Sequence, residues 1–122
     1  MQKEYHFYVY ILTNYPKNVF YVGFTNDILR RIIEHKNGFG CKFTAKYKLK
    51  YLIYFEQSDN VYSTLEREKV IKKWSRKKKT ELIKSVNPGL KDLSVGLFED
   101  LGIGETEIRG IVEELKAKYK GR

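Results

Sequence analysis

The chain has 122 residues, the length of a single domain, and its hydrophobic fraction of 42% is enough to form a core without disulfides. Its one cysteine excludes an internal disulfide, and the lack of a signal-peptide pattern and of any apolar run near roughly 20 residues predicts a soluble, cytoplasmic protein. The formal net charge of +9 favours nucleic acid as a partner, although a basic protein kept in solution by charge repulsion would have the same composition.

The first third of the chain predicts a β-hairpin followed by a helix. Residues 6–13 and 19–24 are rich in β-branched and aromatic side chains, which is typical of strands, and the Asn- and Pro-containing turn between them predicts antiparallel pairing. A short polar residue at 25–27 can cap a helix that extends to about residue 36. The spacing of its apolar residues predicts a buried stripe of Ile28, Leu29, Ile32 and Ile33.

The middle of the chain predicts one more strand and two more helices. Residues 49–56 have strand character, Asp59 or Ser63 can open a helix, and Ser75 can begin another that residues 87–89 (Asn-Pro-Gly) end. The order β-β-α-β-α-α predicts an α/β fold of the α+β type, with a small three-stranded antiparallel sheet flanked by helices. The predicted apolar faces of the two helices consist of Leu65, Val70, Ile71, Trp74, Leu82, Ile83 and Val86.

The C-terminal segment differs from the rest of the chain. Residues 96–122 contain six acids and five bases, which leaves a net charge of +10 on residues 1–95. We therefore expect a domain at 1–95 and, at 96–122, a glycine-containing connector followed by an amphipathic helix. Its apolar stripe must be covered by the domain itself or by a second copy, so the pattern allows a monomer or a homodimer. The stripe consists of Ile108, Ile111, Val112, Leu115 and Tyr119.

Five residues form the candidate site. Tyr10 and Tyr21 lie in the two paired strands, where their side chains can face the same cleft. Arg31 and His35 are four residues apart, so they share a helix face, and the apolar stripe opposite them predicts that this face points away from the core. Glu68 is a lone carboxylate in a basic stretch of the next helix. Each residue alone is more typical of packing or of a solvated helix surface, and it is their ordered combination that indicates a catalytic site.

The order and spacing of these residues resemble the GIY-YIG nuclease family, in its small stand-alone bacterial branch. In that family a Tyr ends a first triplet, Tyr-Ile-Gly follows, an Arg lies eight residues after that Gly, and often a His four residues later. Tyr10, residues 21–23, Arg31 and His35 match this pattern, and residues 67–74 are similar to the family's Arg-Glu-x-x-Ile-Lys-x-Trp stretch. The first triplet is Tyr-Val-Tyr and retains only the final Tyr of Gly-Ile-Tyr. The resemblance does not extend to the C-terminal segment.

The resemblance implies a metal-dependent endonuclease that hydrolyses phosphodiester bonds by attack of water. It implies one divalent cation, Mg²⁺ or Mn²⁺, held by Glu68 and completed by water and phosphate. Arg31 would contact a phosphate oxygen, Tyr10 would orient or deprotonate the water, and Tyr21 would hydrogen-bond in the same cleft. His35 would assist proton transfer, because an unperturbed histidine pKa of about 6.5 suits that role.

A basic stretch beside Glu68 is predicted to follow the nucleic-acid backbone, with a solvated helix surface as the alternative. It consists of Lys72, Lys73, Arg76, Lys77, Lys78 and Lys79. Because no separate sequence-reading module is visible, a relaxed or structure-directed DNA nuclease of repair or recombination is the favoured function. Two alternatives stay open: a non-catalytic nucleic-acid-binding module on the same fold, and a protein-interaction domain that uses the C-terminal helix.

Overall fold

The computed structural model describes residues 6–120. Residues 1–5 of the expected domain and residues 121–122 of the expected C-terminal segment lie outside this range. None of the helices described is long and apolar enough to cross a membrane. The predicted fold class is confirmed, since an antiparallel three-stranded sheet is flanked by helices, but two short helices, at 42–46 and 94–100, were not predicted. In chain order the elements are β1 (Phe7–Thr13), β2 (Phe20–Thr25), α1 (Ile28–Lys36), α2 (Lys42–Lys46), β3 (Tyr51–Ser58), α3 (Val61–Lys73), α4 (Arg76–Val86), α5 (Ser94–Asp100) and α6 (Glu105–Lys118).

The strand β1 lies in the middle of the sheet, with β2 and β3 on either side. Tyr10 pairs with Gly23 on β2 and with Phe55 on β3, and both pairings are antiparallel. Successive side chains of a strand point to opposite faces. Tyr10 and Leu12 therefore point to one face of the sheet, and Val9 and Ile11 point to the other.

Helices cover both faces of the sheet. On the face of Tyr10, α1 buries Ile28 and Ile32 against the strands. On the face of Val9 and Ile11, the buried side chains of Ile71 from α3 and Ile83 from α4 complete a second core. The sheet thus separates two apolar clusters. Candidate site residues from opposite sides of the sheet can approach one another only around its edge.

Two of the predicted core positions are wrong. Val70 and Val86 are 39% and 69% exposed, whereas the adjacent Ile71 in α3 and the nearby Ile83 in α4 are fully buried. Only a narrow stripe of each helix meets the sheet, so an apolar residue one position away from that stripe points to solvent.

Helices α1 and α4 begin at short polar residues, as the sequence predicted. Asp27 and Ser75 each accept a hydrogen bond from the backbone N–H three residues later. The start of α3 was predicted at Asp59 or Ser63, but Asn60 is the capping residue, because its side chain accepts from the N–H of Ser63.

The C-terminal helix α6 packs against α1 of the same chain. Leu115 is fully buried, and a salt bridge of 3.2 Å joins Glu114 to Arg30 on α1. The domain itself therefore covers the stripe, which is one of the two arrangements expected from the sequence. The remaining aliphatic residues of the stripe are half-buried: Ile108, Ile111 and Val112.

Candidate active site

Tyr10 is the centre of a buried hydrogen-bonded cluster. Its ring is 1% exposed, and its Oη lies 3.1 Å from Nε2 of His35. The same Oη accepts a hydrogen bond of 3.2 Å from Nε of Arg31. Arg31 and His35 lie one turn apart on α1, so a single helix brings both side chains to one phenol.

Gly23 provides the space that the Tyr10 ring occupies. A Cβ atom at position 23 would lie 2.4 Å from Cζ of Tyr10, far inside van der Waals contact. Tyr21, two residues earlier on β2, points to the same face, and its ring centroid lies 6.3 Å from that of Tyr10 and 5.8 Å from that of His35. Both tyrosines predicted for the site therefore contact the histidine.

His35 lies in the core, whereas its helix face was expected to point outward. It is 1% exposed, and its Nδ1 lies 2.9 Å from Oγ1 of Thr44 on α2. Burial, and then the positive charge of Arg31, lower its pKa to about 4. At neutral pH the imidazole is therefore neutral, so it can accept a proton but holds none to donate as an imidazolium.

Burial also keeps the two phenols protonated. It raises the pKa of Tyr10 well above its usual value of about 10, although the hydrogen bond and charge of Arg31 act in the opposite direction. For Tyr21, burial and then Cys41 raise the pKa, while the charges of Arg31 and Lys72 lower it in part. The resting site thus contains two neutral phenols, one neutral imidazole and one guanidinium.

The guanidinium of Arg31 is held by contacts on more than one side. Its Nη1 donates to the backbone carbonyl of Gly40 at 3.4 Å and lies 3.7 Å from a carboxylate oxygen of Glu34. Glu34 is almost buried and accepts a hydrogen bond of 3.2 Å from Oη of Tyr119, whose ring stacks on Phe39 with centroids 5.2 Å apart. The end of α6 is therefore linked to Arg31 through a single side chain.

Glu68 does not contact this cluster directly. Its helix, α3, packs on the face of the sheet opposite Tyr10, and its side chain, 12% exposed, forms a salt bridge of 2.5 Å with Lys72. The charge of Lys72 acts on Tyr21, so α3 approaches the cluster around β2, which is an edge strand. The structure brings four of the five predicted residues into contact with one another. Glu68 instead contacts Lys72, whose charge acts on Tyr21.

The donor set fits a hard divalent cation with few protein ligands. Within residues 6–120, no group of three or more His, Cys, Asp or Glu side chains is arranged to hold a metal. Mg²⁺ is commonly bound through one or two carboxylates, with water and substrate phosphates as its other ligands. The carboxylate of Glu68 can supply that one protein ligand if it shares its charge between the cation and Lys72.

The basic stretch of residues 72–79 has two kinds of side chain. Arg76 donates to the backbone carbonyls of Asn18 and Lys17 at 2.6 and 2.9 Å, so it holds the hairpin turn in place. The ammonium of Lys78 lies 4.4 Å from the centroid of the Trp74 ring. The ammonium of Lys72 is paired with Glu68, so three lysines of the stretch make no contact of this kind within residues 6–120 and are the first candidates for phosphate contacts, at positions 73, 77 and 79.

A groove of about 480 Å³ opens at the loop after α1, and the residues that form it were not predicted from the sequence. It is lined by residues 38–42, Ala45 and Tyr119. The groove arises because the loop after α1 folds back over His35 so closely that a Cβ on Gly40 would lie 2.0 Å from Nδ1. The two glycines at 38 and 40 were the only local signal for this loop, and no motif marks Thr44.

The class of protein follows from a comparison with known families. Residues 6–81 match the GIY-YIG catalytic domain, which is more than half of the chain and includes all five candidate site residues. The chain therefore belongs to the GIY-YIG family of nuclease domains, as its resemblance to that family indicated. The match ends within α4, so α5 and α6 lie beyond it.

Within this family, the chain is similar to small proteins of the UPF0213 group. A UPF0213 protein of Syntrophus aciditrophicus is 42% identical over 82 residues, which are 66% of this chain and 92% of that protein. One from Staphylococcus saprophyticus is 41% identical over 76 residues, or 62% of this chain and 92% of that protein. The solution NMR structure of a UPF0213 protein from Bacillus halodurans has 28% identity, covers 73% of this chain and 94% of its own, and gives a TM-score of 0.48.

Proposed function

We propose that this protein is a metal-dependent endonuclease that hydrolyses phosphodiester bonds in DNA, in a repair or recombination setting. Family membership implies a nucleic-acid substrate. The observation that carries the proposal is the buried contact of the Tyr10 phenol with neutral His35 and with Arg31. A binding module needs only exposed cations, whereas the phenol of Tyr10 and the imidazole of His35 are buried and satisfied by contacts within the protein, which add nothing to affinity.

Each residue of the cluster has a function in this chemistry that its environment supports. Tyr10 is the base that takes a proton from the attacking water, and His35 is the neutral acceptor next to it. Arg31 keeps its charge at any physiological pH and offers a planar fork to the phosphate oxygens. Glu68 would hold Mg²⁺ or Mn²⁺, which when bound supplies positive charge to the phosphate.

Charge distribution supports a polyanionic substrate. Residues 1–95 carry a net charge of +10, and the exposed lysines of the basic stretch lie on the helix of Glu68 and the helix that follows it. Such contacts supply most of the affinity of proteins for nucleic acid and are independent of sequence. The proposal is therefore a nuclease directed by the structure of its substrate rather than by a long recognition sequence.

The direct test is cleavage of labelled single-stranded, duplex and branched DNA, and of RNA, with and without Mg²⁺ or Mn²⁺. Glu68→Gln should abolish cleavage and leave folding and most of the affinity intact, because the metal acts on the transition state while the lysines bind the substrate. Glu66→Gln, an exposed change on the same helix, is the matched control and should cleave normally.

The outcomes separate the candidate functions. Normal cleavage by Glu68→Gln would remove this residue as the metal ligand. Binding of every substrate by the wild-type protein without cleavage of any, at all cation concentrations, would favour the non-catalytic binding module. Cleavage of RNA in preference to DNA would keep the nuclease and change its substrate.

A further inference from the structure

The groups around the Thr44 hydroxyl limit the hydrogen bonds that it can donate and accept. Thr44 is 1% exposed, and its Oγ1 lies 3.2 Å from the backbone carbonyl oxygen of Cys41 and 3.3 Å from the backbone nitrogen of the same residue. A carbonyl can only accept and a backbone N–H can only donate. The carbonyl of Cys41 also accepts from the N–H of Ala45, and Sγ of Cys41 lies 3.3 Å from Oγ1. When the hydroxyl donates to that carbonyl, its lone pairs are left for donors.

His35 is placed to be one of those donors. Its Nδ1 lies 2.9 Å from Oγ1 of Thr44, and in the tautomer with hydrogen on Nδ1 it donates to the threonine. A neutral imidazole has one N–H and one bare nitrogen. Nε2 is then the bare nitrogen, and it faces Oη of Tyr10 at 3.1 Å.

The other end of the chain of contacts agrees with this assignment. Oη of Tyr10 accepts from Nε of Arg31, which is always a donor, so the phenolic proton points to Nε2 of His35. In the opposite tautomer, Tyr10 would receive two N–H donors and its own proton would have no acceptor among the contacts described. The backbone of Gly40 lies so close to the ring that a Cβ there would be 2.0 Å from Nδ1 and 2.4 Å from Cε1.

We infer that Thr44 is a positioning residue, which fixes His35 as the Nδ1–H tautomer so that Nε2 receives the phenolic proton of Tyr10. This inference rests on the proposed function. In the step it supports, the O–H bond of Tyr10 breaks and an N–H bond forms at Nε2. The phenolate then takes a proton from water as the water oxygen bonds to phosphorus and the bond from phosphorus to the leaving oxygen breaks. The leaving oxygen is protonated from solvent, and His35 returns its proton to solvent.

The test uses ¹⁵N NMR of the His35 imidazole in the full-length protein, together with cleavage kinetics. We expect the wild-type spectrum to show a protonated Nδ1 and a bare Nε2. Thr44→Val, which keeps the shape and removes the acceptor, should give a mixture of tautomers and lower kcat by at least about tenfold with little change in KM. Thr44→Ser is the matched control, because it restores the hydroxyl and should restore both the Nδ1–H tautomer and kcat.

The two readouts separate this inference from the proposed function. A protonated Nε2 in the wild-type spectrum would overturn the inference whether or not the protein cleaves DNA. Wild-type kcat in a folded Thr44→Val protein would overturn it as well. If no substrate is cleaved but the Nδ1–H tautomer is present and depends on the Thr44 hydroxyl, the positioning stands and the proposed reaction fails. If Thr44→Val does not fold, the wild-type spectrum and the Thr44→Ser variant decide the matter.

Discussion

Substituting Gly23 by alanine should disable the site through one added methyl group. Gly23 pairs directly with Tyr10 across β1 and β2. The new Cβ would lie 2.4 Å from Cζ, 2.5 Å from Oη and 2.9 Å from Cε2 of the Tyr10 ring, whereas ordinary contacts begin at 3.4 Å. The ring would have to move by about 1 Å, away from the positions at which it meets His35 and Arg31.

The size of the effect follows from that displacement. Moving a reacting group by about 1 Å typically costs about 10²-fold in rate, and forcing extra volume into a packed core costs about 1–3 kcal/mol of stability. We expect Gly23→Ala to lower kcat by about two orders of magnitude and to reduce the free energy of unfolding by that amount. The assays are DNA cleavage under single-turnover conditions and urea denaturation.

Two further variants show that the ring is the cause. Gly110→Ala adds the same methyl group in α6, where no atom lies within 4 Å, and should stabilise the protein by about 0.5–1 kcal/mol without altering cleavage. In a Tyr10→Leu background, Gly23→Ala should cost almost no stability, because the ring it would meet is gone. Wild-type kcat in folded Gly23→Ala, or an undiminished stability cost in the Tyr10→Leu background, would refute the reasoning.

The other predictions concern pH and the C-terminal helix. The pKa of His35 is about 4 in the folded protein and about 6.5 in the unfolded chain. Between these pH values the unfolded state binds more protons than the folded state. The free energy of unfolding should therefore fall as pH is lowered from about 6.5 to about 4, by up to about 3 kcal/mol. Urea denaturation at pH 7 and pH 4.5 should show this loss of stability. The His35→Asn variant should lose less stability between these two pH values, because it lacks the imidazole. Leu115→Ala should cost about 2–5 kcal/mol with no change in the mass of the protein in solution, whereas Val95→Ala, at an exposed site, should cost little. A loss below 1 kcal/mol for Leu115→Ala would show that α6 contributes little to the fold.

Local sequence signals predicted the framework because local physics determines it. Alternating β-branched and aromatic residues predicted all three strands within two residues of each observed end. The caps at Asp27 and Ser75 follow from short side chains that satisfy unpaired N–H groups nearby. The short helices α2 and α5 have five and seven residues, too few for an apolar period to be visible, so they were not predicted.

The arrangement of the site depended on contacts that are distant in sequence. The burial of His35 results from the loop at 38–42 folding back over α1, and only Gly40 allows so close an approach. Arg31 is linked through Glu34 to Tyr119, and the hydrogen bond between Tyr119 and Glu34 joins residues 85 positions apart. Periodicity within one helix contains no information on such contacts, so the candidate residues could be named from the sequence while the contacts that determine their protonation states could not.

The opposite pKa shifts of Tyr10 and His35 determine when the phenol can lose its proton. Burial penalises the charged form of each, so proton transfer within the resting pair would create two buried charges where there were none. Arg31 does not offset this penalty alone, because the pKa of Tyr10 stays raised despite that hydrogen bond. In the proposed reaction, the phenolate can therefore form only when bound substrate and its counter-charges change the field at Oη. A base of high pKa is also a strong proton acceptor once it is formed, so the burial that keeps Tyr10 protonated in the resting protein would strengthen it in its proposed role as the base that activates water.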